Sequence, residues 1–203
     1  MSRASVFEIQ GPLRKRYKAD PAAALVTDRG RAQGTIADDP FHSTVLPMPR
    51  SGIAVPVGVH AALGGLHDAP TPGDMLCAAF AACQDSSVRM VANILGIELE
   101  LLEVEVTGDV DVRGTLLMDP RIPVGFQAMR CAVRLRAAKG TDTRLLEKLR
   151  TAAERSCVVG QTLHHSPSIE TTFDMGVDTA KAAPAATQAD AESAACLRLI
   201  PPE

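Results

Sequence analysis

The chain of 203 residues has no tryptophan, one tyrosine and five phenylalanines, an aromatic content of only 3%. That poverty argues against surfaces that stack bases or sugars and leaves a core to be built from Ala, Val, Leu and Met. Positive charge is not in excess either. The formal net charge is −3, so there is no general basic field for nucleic acid. The one basic cluster, Arg14-Lys15-Arg16-Tyr17-Lys18, reads as a solvated strand face. No apolar run approaches the roughly 18 residues of a membrane-spanning helix. The opening Met1-Ser2-Arg3-Ala4-Ser5 lacks the apolar run of a secretory signal. Neither a membrane nor a nucleic-acid partner is expected, and the expected location is the cytoplasm, where thiols are kept reduced.

Phosphate-cradling loops of the Walker or GxGxxG type are missing, as are a GxSxG elbow and an HExxH helix. The five cysteines, Cys77, Cys83, Cys131, Cys157 and Cys196, contain no CxxC pair, which argues against a disulfide framework or a structural zinc site. No cofactor and no metal are expected. His164-His165 follows Cys157 closely, but adjacent side chains on an irregular segment rarely converge on one ion. His42, His60 and His67 fall in loop-like stretches and read as solvated. What remains for chemistry is the thiols.

What is present is ordinary globular composition, 46% hydrophobic and 22% charged, enough for one sizeable domain. Residues 1–60 read as short strands at Val6–Ile9, Ala24–Thr27, Gly34–Ala37 and Ile53–Val57. Gly11-Pro12, Asp28-Arg29-Gly30 and Asp38-Asp39-Pro40 mark the turns between them, and Pro56 argues for an edge strand or a break. Thr71-Pro72-Gly73-Asp74 then offers an N-cap, a proline at N1 and an acidic residue at N3. The helix it opens runs to Leu95, with Gly96 as the stop, about 35 Å in all. Its first half is apolar all round, a sign of burial on most sides. Leu102-Val104-Val106 and Met129-Cys131-Val133-Leu135 alternate with polar residues, as half-buried strands do. A second helix is expected over Thr143–Arg155 and a last strand over Ser168–Met175. The order is α+β, with antiparallel sheets packed around a long central helix. Residues 1–178 form one domain in this reading, and 179–203 an Ala-rich tail carrying Cys196.

Cys83 lies where the apolar half of the long helix gives way to Gln84-Asp85-Ser86-Ser87, and Cys157 follows the second helix in Arg155-Ser156-Cys157-Val158-Val159. Each taken singly reads as a small core hydrophobe. A reactive thiol needs a nearby cation or helix N-terminus to stabilise its thiolate, and Arg89 and Arg155 are the cations near in sequence. Cys77 is six residues before Cys83, about 240° around the helix, and does not share its face. Cys131 points with the apolar set of its strand, toward the core.

The segment Thr71–Cys83, continued by Val88-Arg89-Met90-Val91-Ala92, resembles the first-cysteine segment of the OsmC/Ohr family. Ala153-Glu154-Arg155-Ser156-Cys157-Val158-Val159 resembles its second-cysteine segment. The similarity covers roughly residues 65–175. It implies an OsmC-like fold in an intertwined homodimer with two sites at its interface. It further implies a peroxidase in which Cys83 attacks a small organic hydroperoxide and Cys157 resolves the sulfenic acid as a disulfide. A dithiol reductant reopens that bond, and no bound cofactor is needed. Peroxidase members carry a glutamate after the helix-opening proline. Here Gly73 occupies that place, and Asp74, one position on, is the candidate to hold the activating arginine. That arginine comes from an N-terminal loop, with Arg29 or Arg31 as candidates and Arg50 as a further one. Val158 stands where a proline commonly follows the second cysteine. The alternatives are an OsmC-like dimer that binds a small apolar ligand without turnover, and a thiol redox sensor using the same pair.

Overall fold

A computed structural model describes residues 5–33 and 39–175. The expected strand Gly34–Ala37, the C-terminal tail and Cys196 lie outside the described residues.

The chain opens with helix α1, Val6–Ala19, where a strand and a Gly-Pro turn were expected. The four-residue run Val6–Ile9 is too short for periodicity to decide, and the end signals decide instead. Ser5 caps the helix by accepting from the Glu8 N–H. Glu8 lies in the first turn, and Arg16 and Lys18 in the last, each charge complementing the helix dipole. Pro12 sits inside α1, so the basic cluster occupies the end of a helix and not a strand face. The helix docks by the Val6 N–H donating to Asn93 Oδ1 at 2.7 Å.

Ala24–Thr27 forms no strand, because Pro21–Ala24 closes a 3-10 turn capped by Asp20. Three short strands follow: β1, Arg31–Gln33; β2, Ser43–Leu46; and β3, Val55–Val57. They form an antiparallel sheet in the order β1-β2-β3. Pro56 lies on the outer strand β3 opposite Thr44, where a missing N–H costs no ladder bond. The segment after β3 is tied to the sheet through His42, which bridges Asp39 at 2.8 Å and Asp68 at 3.1 Å. Both carboxylates hold the imidazole above its ordinary pKa, the hydrogen bond to Asp39 most of all.

Helix α2, Pro72–Ile94, begins as its sequence signals require. Thr71 and Asp74 form a reciprocal capping box, Pro72 is at N1, and Leu95 is the C-cap, followed by Gly96 at φ +67. Strands β4, Leu99–Asp109, and β5, Ala128–Ala137, pair antiparallel. Their inner face matches Leu102 with Leu135, Val104 with Val133 and Val106 with Cys131. The outer face carries the cross-strand ion pairs Glu103–Arg134 and Asp109–Arg130. A short helix α3, Val112–Thr115, interrupts the connection. Helix α4, Thr143–Ser156, and helix α5, Val158–His164, complete the layer against α2.

The core lies between α2, α4 and the inner sheet face, with Val88, Ala92, Ile97, Leu149 and Ala153 at its centre. Leu149 is 0% exposed. The expected strand Ser168–Met175 does not form. Among the described residues its alternating Ile169, Phe173 and Met175 find no neighbouring strand, and all three are exposed. Alternation marks a strand that pairs, but it does not supply the pairing edge. No helix of the described residues is long and apolar enough to cross a membrane.

Candidate functional site

Two sulfurs meet at the first turn of α5. A helix start leaves backbone N–H groups without intrahelical acceptors, and here both acceptors are thiols. The Val159 N–H donates to Cys83 Sγ at 3.5 Å, and the Gly160 N–H donates to Cys157 Sγ at 3.4 Å. Cys157 is at once the C-cap of α4 and the N-cap of α5. This short helix was not foreseen: Val158-Val159-Gly160 has poor helix propensity, and a cysteine cap is not among the usual N-terminal signals. Val158 takes position N1, where a proline would also fit, so that departure leaves the turn intact.

Close approach of α5 to α2 depends on Gly160. A Cβ there would lie 2.9 Å from the Phe80 ring and 3.2 Å from Cys157 Sγ. The two thiols differ in access: Cys83 is half-buried and Cys157 is 0% exposed. Burial is the main cause that pushes the Cys157 thiol up to about 11. The Gly160 N–H works against that rise, while the Cys83 sulfur, to which the protonated Cys157 thiol can donate, adds to it. The neighbouring cations do not compensate. Arg89 is spent on Asp85, with contacts at 2.7 and 3.0 Å, and Arg155 is exposed.

The other expected site residues lie apart from the sulfurs. Asp74 accepts from the Thr71 N–H at 2.9 Å, from Thr71 Oγ1 at 2.8 Å and from His67 Nε2 at 3.2 Å. The Thr71 backbone N–H is the chief reason its carboxyl is held below the usual range. Nine residues separate it from Cys83, about 13 Å along the helix. Arg29 and Arg31 are exposed before and within β1, and Arg50 is exposed in the 3-10 turn Pro49–Ser51. Among the described residues none of the three forms an ion pair, and the imidazole beside Asp74 is that of His67. The histidines that read as solvated are partly engaged: His67 bonds Asp74 and lies with its ring 4.5 Å from His60. Among the described residues no cluster of His, Cys, Asp and Glu is arranged to hold a metal.

The opening of α2 borders a groove of about 1290 Å³, lined in part by Cys77, Ala78, Ala81, Val106 and Phe126. Sequence reasoning did not single out Phe126. Its ring lies across two glycines: a Cβ would meet it at 3.2 Å from Gly73 and at 2.6 Å from Gly108. Gly73 and Gly108 thus leave room for an apolar ring at the mouth. The Cys77 thiol in this groove is pushed up by burial and by Asp74.

The profile of the family described as OsmC-like protein matches residues 65–172, which include both cysteines of the pair. No curated protein matches the chain. Solved structures are similar in fold. An OsmC-like protein from Mycoplasma pneumoniae is 13% identical with a TM-score of 0.55, over 70% of this chain and 89% of its own. An OsmC-like protein of unknown function from Vibrio cholerae is 11% identical with a TM-score of 0.53, over 68% and 94%. An organic hydroperoxide resistance protein from Elizabethkingia anophelis is 17% identical with a TM-score of 0.51, over 70% and 91%.

Two outcomes are expected from this geometry. Iodoacetamide at pH 8 labels Cys83 well ahead of Cys157, and Cys157 labelling climbs as pH approaches the value of about 11 to which its thiol is raised, because only the thiolate reacts. Equal rates for both at pH 8, followed by peptide mass spectrometry, would contradict this. Gly160→Ala forces α5 away from Phe80, and oxidation to a Cys83–Cys157 disulfide should slow by about tenfold or more, since small displacements are costly for reacting atoms. An unchanged rate in a diamide time course would show that the contact is irrelevant.

Proposed function

The chain belongs to the OsmC-like protein family, and on that premise we propose that it is a thiol-dependent peroxidase for organic hydroperoxides. The observation that carries the reading is the placement of two thiols on consecutive N–H groups of one helical turn. Cys83, the more accessible, attacks the terminal oxygen of the hydroperoxide as thiolate. The O–O bond breaks, an alcohol leaves after taking a proton, and Cys83 becomes a sulfenic acid. The Cys157 thiol then attacks that sulfur, a disulfide forms and water departs. A dithiol reductant restores both thiols by exchange, so no bound cofactor enters the cycle. The similar structure from Elizabethkingia anophelis is that of an organic hydroperoxide resistance protein, which supports the same reading.

The working unit in this reading is an intertwined homodimer in the cytoplasm, with the long helix at its centre. Supporting it, the single chain leaves large apolar side chains uncovered, among them Leu25, Val26, Ile169 and Phe173, each at least 80% exposed. Apolar side chains this exposed are ones that a second copy of the chain would cover. In this reading Arg29 or Arg31 reaches the site from the partner copy. Sedimentation at twice the mass of the chain is expected, and a monomer at micromolar concentration would refute the dimer.

A second reading rests on the groove over Phe126. Its apolar lining suits a small apolar ligand held without turnover, the thiols then acting at most as a redox sensor. One assay separates the two. Reduced protein with cumene hydroperoxide and excess dithiothreitol should consume many equivalents of peroxide. Cys83→Ser should consume none above background, and Cys157→Ser should accumulate a trappable sulfenic acid on Cys83. Peroxide left untouched by the unaltered protein would end the peroxidase reading in favour of the ligand-binding one. A single stoichiometric oxidation would favour the sensor.

A further inference from the structure

Cys131 is a thiol that the chemistry above leaves unused. It sits on the inner face of β5 opposite Val106 and is half-buried. It opens into a cavity of about 750 Å³ bounded also by Phe80, Gln84, Ala153, Glu154 and Gly160. Gly160 is the residue whose N–H holds Cys157 Sγ, and a Cβ on it would lie 3.2 Å from that sulfur. Gly160 thus borders the cavity that Cys131 lines and also carries the N–H that meets the Cys157 sulfur. Cys83 reaches the same turn from α2, and Cys131 lies near enough to Cys157 for its charge to add to the rise that burial causes in that thiol.

We propose that Cys131 is a third redox thiol, which takes the disulfide over from Cys83. The proposal rests on the peroxidase reading for the formation of the first bond. After Cys83–Cys157 has formed, Cys131 loses its proton to solvent and its thiolate attacks Cys157 Sγ. The Cys131–Cys157 bond forms as the Cys83–Cys157 bond breaks, and the electron pair leaves on Cys83, which departs as thiolate. No external oxidant is consumed, since one disulfide replaces another. The oxidising equivalent is then stored beside the core while Cys83 is free to meet a second hydroperoxide before reductant arrives. Burial, and next to it the charge of Glu154, raise the Cys131 thiol. Only a small fraction is thiolate at neutral pH, so the transfer is slower than the first bond and accelerates as pH rises.

The test has two arms. In the first, Cys83→Ser is oxidised with diamide, which needs no peroxidase chemistry, and its peptides are mapped. A Cys131–Cys157 disulfide is expected, and both thiols remaining fully alkylatable overturns the proposal. In the second, the reduced unaltered protein receives one equivalent of cumene hydroperoxide and is quenched with N-ethylmaleimide at intervals. Cys83–Cys157 should appear first and give way to Cys131–Cys157 with Cys83 alkylated, about tenfold faster for each pH unit below the thiol pKa. Cys131→Ser should stop at the first bond. Persistence of Cys83–Cys157 in the unaltered protein overturns the relay and spares the peroxidase reading. If peroxide forms no Cys83–Cys157 bond at all, both fall, even where diamide links Cys131 to Cys157.

Discussion

The arrangement of the site depends on the first turn of α5. Two N–H groups that every helix start leaves unpaired are aimed at two sulfurs that arrive from different directions, one from the middle of α2 and one from the junction of α4 and α5. That junction is fixed from beneath. Leu149 and Ala153 of α4 lock against Val88 and Ala92 of α2, and the next turn of α4 delivers Cys157 into full burial. A shift of α4 along α2 would move Cys157 but not Cys83, so the packing of two helices sets the distance between the thiols. Gly160 is the permissive element: with any side chain there, Phe80 and Cys157 could not both keep their places.

Two effects act in opposite directions on Cys157. Its position at a helix N-terminus, with an N–H on the sulfur, favours a thiolate, and burial disfavours one. Burial wins, since the thiol is raised to about 11. A thiol that stays protonated at neutral pH is a poor first nucleophile but a serviceable second one. A sulfenic acid is electrophilic enough to condense with a neighbouring thiol held in contact. Under the peroxidase reading, access assigns Cys83 the first role and leaves the second to the buried, raised Cys157.

Much of this is legible in the sequence. The capping box, the extent of α2 and the alternation in β4 and β5 follow from local signals that tertiary packing leaves alone, and both cysteine segments were marked by resemblance. What escaped were features created by contact. α5 has β-branched residues and a glycine in its first turn, and its cap is the side chain of Cys157. Ser168–Met175 alternates like a strand yet has no edge to join among the described residues. Val6–Ile9 fits two periodicities equally, and only the cap at Ser5 resolves it toward helix. Phe126 carries no motif, and its role appears only when Gly73 and Gly108 are seen on either side of its ring.

That ring bears on how a thiolate would be made. Gly73 lies where peroxidase relatives would carry a glutamate, and Phe126 fills the space in front of it. The adjacent carboxylate, Asp74, already accepts from the Thr71 N–H, the Thr71 hydroxyl and His67. Its geometry is that of a helix cap, with its oxygens directed back along the chain and away from Cys83. Under the peroxidase reading, an arginine brought by a partner would find an aromatic ring and a committed carboxylate in place of a free one. The stabilisation available within the chain is then the Val159 N–H on Cys83. A single neutral donor offsets less than an arginine does. Under the peroxidase reading the integrity of α5 then matters in its own right, because the same turn that holds the thiols together also supplies the N–H that meets Cys83.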